Sequence, residues 1–404
     1  MINLDFRMAK PNYADKVLRA IAKEALDFLL KNVNANRIKC ILLTGSVANG
    51  EGTVIKHNSS VITSDFDFVI YLDFPYYLQN RNHFQHLSQE ISTRLINRKV
   101  NTHVVFLPSI KILQTGIRFT SSSIYEYEFA IASKCVFGKV QSSNLTARPT
   151  KKDALELTFT VVSDLVFSNF KSLSKIEESY IYAKRALTLL NSLLIFHGFF
   201  AETYEKRIKI AQKCVRQGIL PITKDEVKIL EVFTQYKLSG SLQQLLDSLS
   251  CNDVSDLLYF QREFLTNLTI KILDHELTIL VEEKQAKPNY NKFSQKAKLT
   301  KLLGEYSKRS TIQLPSRILG LTLYVFWSFA RNKTRKELFA TFAFHKQPPK
   351  TLLNVLITLL LLHNNTLARK FLEEIFPWMN SDATAGPLQR IFSLWQSAEQ
   401  SIKL

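Results

Sequence analysis

Leu42-Leu43-Thr44-Gly45-Ser46 and, eighteen residues further on, Ser64-Asp65-Phe66-Asp67-Phe68 are the two stretches that decide how this chain is read. The run Ile38 to Thr44 is short, apolar and ends on a glycine, which reads as a buried strand entering a turn. Asp65 to Leu72 is rich in aromatic and β-branched residues and reads as a second strand. Side chains alternate along a strand, so Asp65 and Asp67 point to one face while Phe66 and Phe68 point to the other. Upstream, Ala14, Val17, Leu18, Ile21, Ala22, Ala25, Phe28 and Leu29 recur at helical spacing, predicting an amphipathic helix over 13–33. Downstream, Phe84, Leu87, Ile91 and Leu95 mark another helix, and Val100 to Leu107 a third strand. The expected order is helix, strand, strand, helix, strand.

The two decisive stretches carry complementary chemistry. A glycine at the end of a strand lets backbone N–H groups approach phosphate oxygens, and the hydroxyl of Ser46 adds a donor. Two carboxylates at i and i+2 repel one another unless a cation lies between them. Mg²⁺, which takes hard oxygen ligands and shares its shell with substrate phosphates, is the natural compensation, with Mn²⁺ as an alternative. Asp65 and Asp67 are therefore the candidate metal ligands, and Gly45 and Ser46 the candidate nucleotide-binding residues. A bare Asp-x-Asp is common at exposed strand edges; the preceding strand-Gly-Ser is what makes this one informative.

At these residues the chain resembles the nucleotidyltransferase superfamily of the DNA polymerase β type. Leu43-Thr44-Gly45-Ser46-Val47-Ala48-Asn49-Gly50-Glu51-Gly52 is similar to the Gly-Ser-x-Ala-Arg-Gly-Glu-Gly run of bacterial stand-alone nucleotidyltransferase domains. The resemblance covers residues 35–140 best. It implies a minimal α/β nucleotidyltransferase domain with a mixed sheet and a metal-dependent transfer of a nucleoside monophosphate from an NTP, ATP foremost. The acceptor would be a small molecule, a sugar intermediate or a protein, and pyrophosphate would be released. Three departures are visible. The interval between Ser46 and Asp65 is longer than is usual in the family, so Glu51 to Thr63 should form an extra loop or hairpin. Asn49 replaces a frequent arginine. The third acidic residue that the family carries on the strand Val100 to Leu107 is missing, with Asn101, Thr102 and His103 in its place. Glu128, in Tyr125-Glu126-Tyr127-Glu128-Phe129, is the candidate third catalytic acid; Glu51 is the alternative, and His103 a candidate base.

From about Lys151 onward the texture becomes helical, with long patterns over Asp153 to Phe167, Ile176 to His197 and Val254 to Val281. The fold class expected is α+β: a nucleotidyltransferase domain over 1–145, a helical domain over 146–285, and a basic helical region over 286–404. The polar link Gln141 to Pro149 marks the first boundary. The segment from Tyr180 to Arg207 resembles the helical domains of aminoglycoside nucleotidylyltransferases and of HEPN-type proteins. If that helix lies across the catalytic cleft, Lys184 would reach the triphosphate as a point charge and Arg207 would help; a solvated basic helix face would show the same spacing.

The chain has 53 Lys and Arg against 35 Asp and Glu, a net charge of +18 that favours polyanionic partners. Fifteen basic residues against Glu305 and Glu337 lie between Lys284 and Lys350, where contact with nucleic acid or an anionic membrane is the expectation to test. The apolar runs Ile318 to Ala330 and Leu352 to Leu362 are too short to span a membrane and read as bundle helices. Cys40, Cys135, Cys214 and Cys251 show no CxxC or Cys-His spacing, which argues against a zinc site and for a reducing cytoplasm, with peripheral membrane attachment left open. Two further readings stay open: a catalytically impaired, antitoxin-like nucleotide-binding regulator, and a basic anchoring protein with a vestigial first domain.

Overall fold

The computed structural model describes residues 2–57, 59–110, 127, 133–139, 148–167, 173–282, 298, 299, 302 and 303. Its described elements are α+β, mixed sheets followed by a mainly helical portion. The chain divides into two compact units, Met1–Ala154 with Leu173–Leu268, and Leu155–Ser172 with Thr269–Leu404. Most of the basic stretch 284–350, the apolar run 352–362, the link 141–147 and Glu128 fall outside the described residues.

Helix α1 (Asn12–Asn32) buries one apolar stripe that includes Ala14, Leu18, Ile21, Ala25 and Leu29, at the spacing read from the sequence. Strand β1 (Ile38–Thr44) follows and leads into a short helix, α2 (Gly45–Ala48). The expected extra segment is a hairpin, β2 (Val54–His57) paired antiparallel with β3 (Ser60–Thr63). Strand β4 (Phe66–Leu72) then runs antiparallel to β1, with Thr44 opposite Asp67 and Leu43 opposite Phe68. Helix α3 (Phe74–Asn97) has Pro75 in its first turn, where the missing N–H is no loss.

The expected third strand is two strands. Residues Val100–Asn101 form β5, which pairs parallel with β3; Val104–Ile110 form β6, which pairs parallel with β4. Strand β7 (Lys134–Gly138), which the sequence reading did not place, closes the far side of β1. The result is one sheet in the order β6-β4-β1-β7 and a second in the order β2-β3-β5. One face of the larger sheet is a core of Ile41, Leu43, Phe66, Phe68, Ile70 and Phe106 against α1 and α3. Each such side chain contributes roughly 1.5–3 kcal/mol of burial. The opposite face carries Cys40, Leu42, Val69 and Tyr71, and Asp67 falls in the same alternation.

The remaining described elements are helices, distributed over the two units. Helix α4 (Lys151–Phe167) is followed by α5 (Lys175–Phe196), α6 (Tyr204–Arg216), α7 (Lys224–Ser239), α8 (Leu242–Leu249) and α9 (Val254–Glu282). Ser174 with Glu177, and Thr223 with Glu226, form capping boxes that start α5 and α7. Glu177 also accepts a hydrogen bond from Asn101 at 2.8 Å, tying α5 to β5. Helix α7 ends on Gly240, whose φ of 69° is left-handed, with its Cα against the carbonyl of Val54 on β2. In the second unit, Lys298 pairs with Asp274 at 2.9 Å.

Gly240→Ala tests that docking. A left-handed alanine costs about 1–2 kcal/mol, and its Cβ would also collide with the Val54 carbonyl oxygen. The expected outcome is a lower Tm in thermal denaturation; an unchanged Tm would mean that α7 does not end against the hairpin.

Candidate active site

The exit of β1 builds one wall of the site. Gly45 has a φ of 73°, a conformation that side chains rarely adopt, and a Cβ placed there would lie 3.8 Å from Oδ2 of Asp67. The turn and the carboxylate on the neighbouring strand therefore face one another across the sheet. Thr44 reinforces the register by donating from Oγ1 to the backbone carbonyl of Asp67 at 3.2 Å. Ser46 is half-buried in α2, and its carbonyl accepts the Glu51 N–H at 2.8 Å, closing the loop that follows.

Asp65 stands where the chain leaves one sheet for the other. Strand β3 ends at Thr63 and β4 starts at Phe66; in the same way β5 ends at Asn101 and β6 starts at Val104. The two breaks lie side by side, since Phe66 N–H donates to the His103 carbonyl at 2.8 Å and Thr102 Oγ1 donates to the Ser64 carbonyl at 3.1 Å. Asp65 is thus free of ladder geometry at the edge of β4, two residues from Asp67.

Lys184 reaches this point from α5. Its Nζ donates to Asp65 Oδ2 at 2.5 Å, with the two side chains 31% and 36% exposed. Burial works against the charged form of Asp65, but the Lys184 ammonium, with His103 and Lys237 farther off, outweighs it and holds the carboxyl below the ordinary aspartate value. For Lys184 burial is likewise opposed by Asp65, and its ammonium is held well above the usual lysine range. Residues singled out from sequence meet in two pairs, Gly45 with Asp67 and Lys184 with Asp65, with Ser46 next to Gly45 and Asp65 two positions before Asp67.

Other candidates are placed differently. Glu51, 4% exposed, accepts the backbone N–H of Tyr204, the first residue of α6, at 2.8 Å. It fastens the Gly45–Gly52 loop to a helix N-terminus, where a carboxylate is favoured. His103 is exposed beside the sheet break. The register puts Val105 opposite Asp67, so the neighbouring position on β6 is apolar. Arg207 donates from Nε to the Ala201 carbonyl at 3.0 Å, in the turn that leads into α6.

One residue near the site was not anticipated. Lys237 on α7 is 1% exposed, and its Nζ donates to Thr53 Oγ1, Ser64 Oγ and Tyr180 OH at 2.7, 2.8 and 2.8 Å. Its only sequence signal is a lysine two positions before Ser239-Gly240, in a helix whose neighbours Phe233, Tyr236 and Leu238 are apolar and buried.

Asp65 and Asp67 supply two hard carboxylate donors; among the described residues no group of three or more His, Cys, Asp or Glu side chains could hold a metal. Two carboxylates with the remaining shell from phosphate oxygens and water is a donor set that Mg²⁺ accepts. Among the described residues no helix is long and apolar enough to cross a membrane.

No family model and no curated protein matches this chain. Among solved structures, a spectinomycin adenyltransferase from Enterococcus faecialis, with ATP and spectinomycin, aligns at 12% identity and a TM-score of 0.35, over 60% of this chain and 98% of that one.

The role of Glu51 is checked by its pH dependence. Burial pushes its carboxyl above the ordinary value of 4.5, more than the Tyr204 N–H, Arg207, Lys237 and Lys10 pull it down. A raised folded-state value means that the folded protein holds the proton more tightly than the unfolded chain. The wild type therefore loses stability as pH climbs from about 4.5 through the raised value. Glu51→Gln keeps an oxygen for Tyr204 and lacks that loss. The Tm of the variant relative to wild type should rise across this window and level off toward neutral pH; a flat difference would exclude a buried carboxylate at this position.

Proposed function

We propose that this protein is a metal-dependent nucleotidyltransferase, moving a nucleoside monophosphate from an NTP to an acceptor hydroxyl or phosphate and releasing pyrophosphate. The observation that carries the reading is the juxtaposition of the left-handed Gly45 turn with the Asp67 carboxylate, with Asp65 two residues earlier, just before β4 begins. Backbone N–H groups at Gly45 and Ser46 hold the triphosphate, and Asp65 and Asp67 hold Mg²⁺, or Mn²⁺ in its place. When bound, the metal would neutralise charge on the transferring phosphate. The acceptor oxygen attacks the α-phosphorus while the bond to the bridging oxygen of the β-phosphate breaks; the acceptor's proton passes to a base and pyrophosphate departs. Glu128 is proposed as that base on its position in the sequence.

Lys184 has two partners in this scheme. Without substrate it neutralises Asp65; with substrate it turns to a phosphate oxygen, a point charge exchanging one anion for another. ATP is the nucleotide proposed, and the acceptor is a small molecule, a sugar intermediate or a protein side chain.

A second reading, nucleotide binding without turnover, is favoured by Val105 opposite Asp67 and by the Lys184–Asp65 pair, which already balances one carboxylate. Incubation of the pure protein with each NTP and Mg²⁺, with pyrophosphate release followed, separates the two. For the enzyme, Asp65→Asn and Asp67→Asn should each lower release by roughly 10³-fold or more with far-UV circular dichroism unchanged. Lys184→Met should weaken NTP binding about tenfold, the loss of one charge-assisted hydrogen bond. Saturable NTP binding with no pyrophosphate from any acceptor mixture would select the second reading, and a fully active Asp65→Asn/Asp67→Asn double variant would place the chemistry elsewhere.

A further inference from the structure

An ammonium group carries three N–H donors, and full burial leaves no water to satisfy them. Lys237 meets this requirement with three hydroxyls from three separate parts of the chain. Thr53 follows the Gly45–Gly52 loop, Ser64 immediately precedes Asp65, and Tyr180 lies one helical turn before Lys184 on the same face of α5. The hydroxyls also touch one another: Ser64 Oγ lies 3.3 Å from Tyr180 OH, and Tyr180 OH donates to Thr53 Oγ1 at 3.5 Å. Thr53 N–H donates to Ser64 Oγ at 2.9 Å, and Thr53 Oγ1 donates to the backbone carbonyl of Lys237 itself at 2.6 Å. The ammonium lies 5.2 Å from the centre of the Tyr180 ring.

We propose that Lys237 is a positioning residue that locks the phosphate-holding turn, the Asp65 strand edge and the Lys184 helix into one geometry. Its influence on activity rests on the nucleotidyltransferase reading; its influence on local order does not. The structural argument is one of economy of contacts. Thr53 and Ser64 already pair through their backbones, Ser64 N–H to Thr53 carbonyl at 3.1 Å, so the hairpin base is held without Lys237. What the ammonium adds is a single centre that joins the base to α5 and α7 at once, where the hydroxyls alone reach α7 through the Lys237 carbonyl and α5 through the longer 3.3 and 3.5 Å contacts of Tyr180 OH. A buried ammonium bonded to neutral hydroxyls is a costly way to hold helices together, since a well-packed apolar side chain is often as stabilising or more so. Its place beside Ser64, next to Asp65, fits a role in geometry. The same charge also acts on Asp65 and Glu51, favouring the ionised form of each.

Lys237→Met removes the three donors at similar volume while the hydroxyls keep each other as partners. The expected result has two arms, both on the full-length protein. Tm stays within a few degrees of wild type, while kcat for NTP turnover falls about 10- to 100-fold with a smaller change in KM, the signature of displaced reacting groups. Hydrogen–deuterium exchange without ligand quickens together over 51–54, 62–66 and 178–185 and stays unchanged in α1. Wild-type kcat with wild-type exchange in a folded Lys237→Met protein overturns the proposal, as does an exchange increase spread evenly over the protein. Should Lys237→Met fail to fold, Tyr180→Phe and Thr53→Val each remove one acceptor. Each is then expected to lower kcat several-fold and to quicken exchange in the two segments it no longer joins, and wild-type behaviour in both overturns the proposal. Wild-type protein that neither binds nor turns over NTP rejects the proposed function instead, and the exchange arm alone then decides the role of Lys237.

Discussion

Two strands leave the small sheet for the large one at the same height, and the arrangement of the candidate site follows from that constraint. The step from β3 to β4 passes through Ser64-Asp65, and the step from β5 to β6 through Thr102-His103. Backbone groups freed at such a break must find other partners. Here the paired steps satisfy each other, Phe66 N–H with the His103 carbonyl and Thr102 Oγ1 with the Ser64 carbonyl. Because the break is hydrogen-bonded it holds its shape, and it sets Asp65 just ahead of β4, two residues before Asp67 within the ladder. The large apolar side chains of β4, Phe66 and Phe68, are drawn into the core on the other face, which fixes the direction of Asp67 between them.

Charge is distributed around this break in alternating signs. Asp65 faces Lys184, Glu51 faces the N-terminus of α6, and Lys237 lies buried among hydroxyls beneath both. Burial penalises each of these groups in isolation, so each survives through a specific partner. The partners come from helices, whereas the acids come from the strands and their loops. The first unit is therefore held together at its polar centre by contacts between the two halves of the sequence as well as by its apolar core. The Lys184 ammonium also offsets the repulsion that Asp65 meets from the carboxylate two positions further on.

Much of this was legible in the residues. The apolar run ending at Thr44-Gly45 is strand β1, the alternation Asp65 to Leu72 is β4 to within one residue, and the stripe Ala14 to Leu29 is the buried face of α1. The long interval after Ser46 announced an extra loop or hairpin, although not which of the two, nor that the hairpin would recruit β5 into a second sheet. The division of Val100 to Leu107 into two strands was invisible, because Thr102 and His103 suit an extended chain and only the partner strands decide which sheet each half joins. Strand β7 was missed as well; Lys134 to Gly138 is too short to signal a strand locally, and its extended state is visible only in its pairing with β1.

The amino-acid sequence by itself determined the local vocabulary: which segments alternate as strands, which coil, where a glycine permits a left-handed turn, and which two acids share a face. These are properties of residues a few positions apart, set by backbone sterics and side-chain periodicity, although Asp65 itself falls just outside the strand whose alternation was used to give it a face with Asp67. Only the tertiary structure decided which distant groups would meet. Lys184 lies 119 residues from Asp65, Glu51 is 153 residues from the Tyr204 amide it accepts, and Lys237 is 184 residues from Thr53. No local pattern encodes those meetings, because they depend on how the helices close over the sheet break. A buried lysine in an amphipathic helix looks, in sequence, like any solvated one until three hydroxyls are found around it.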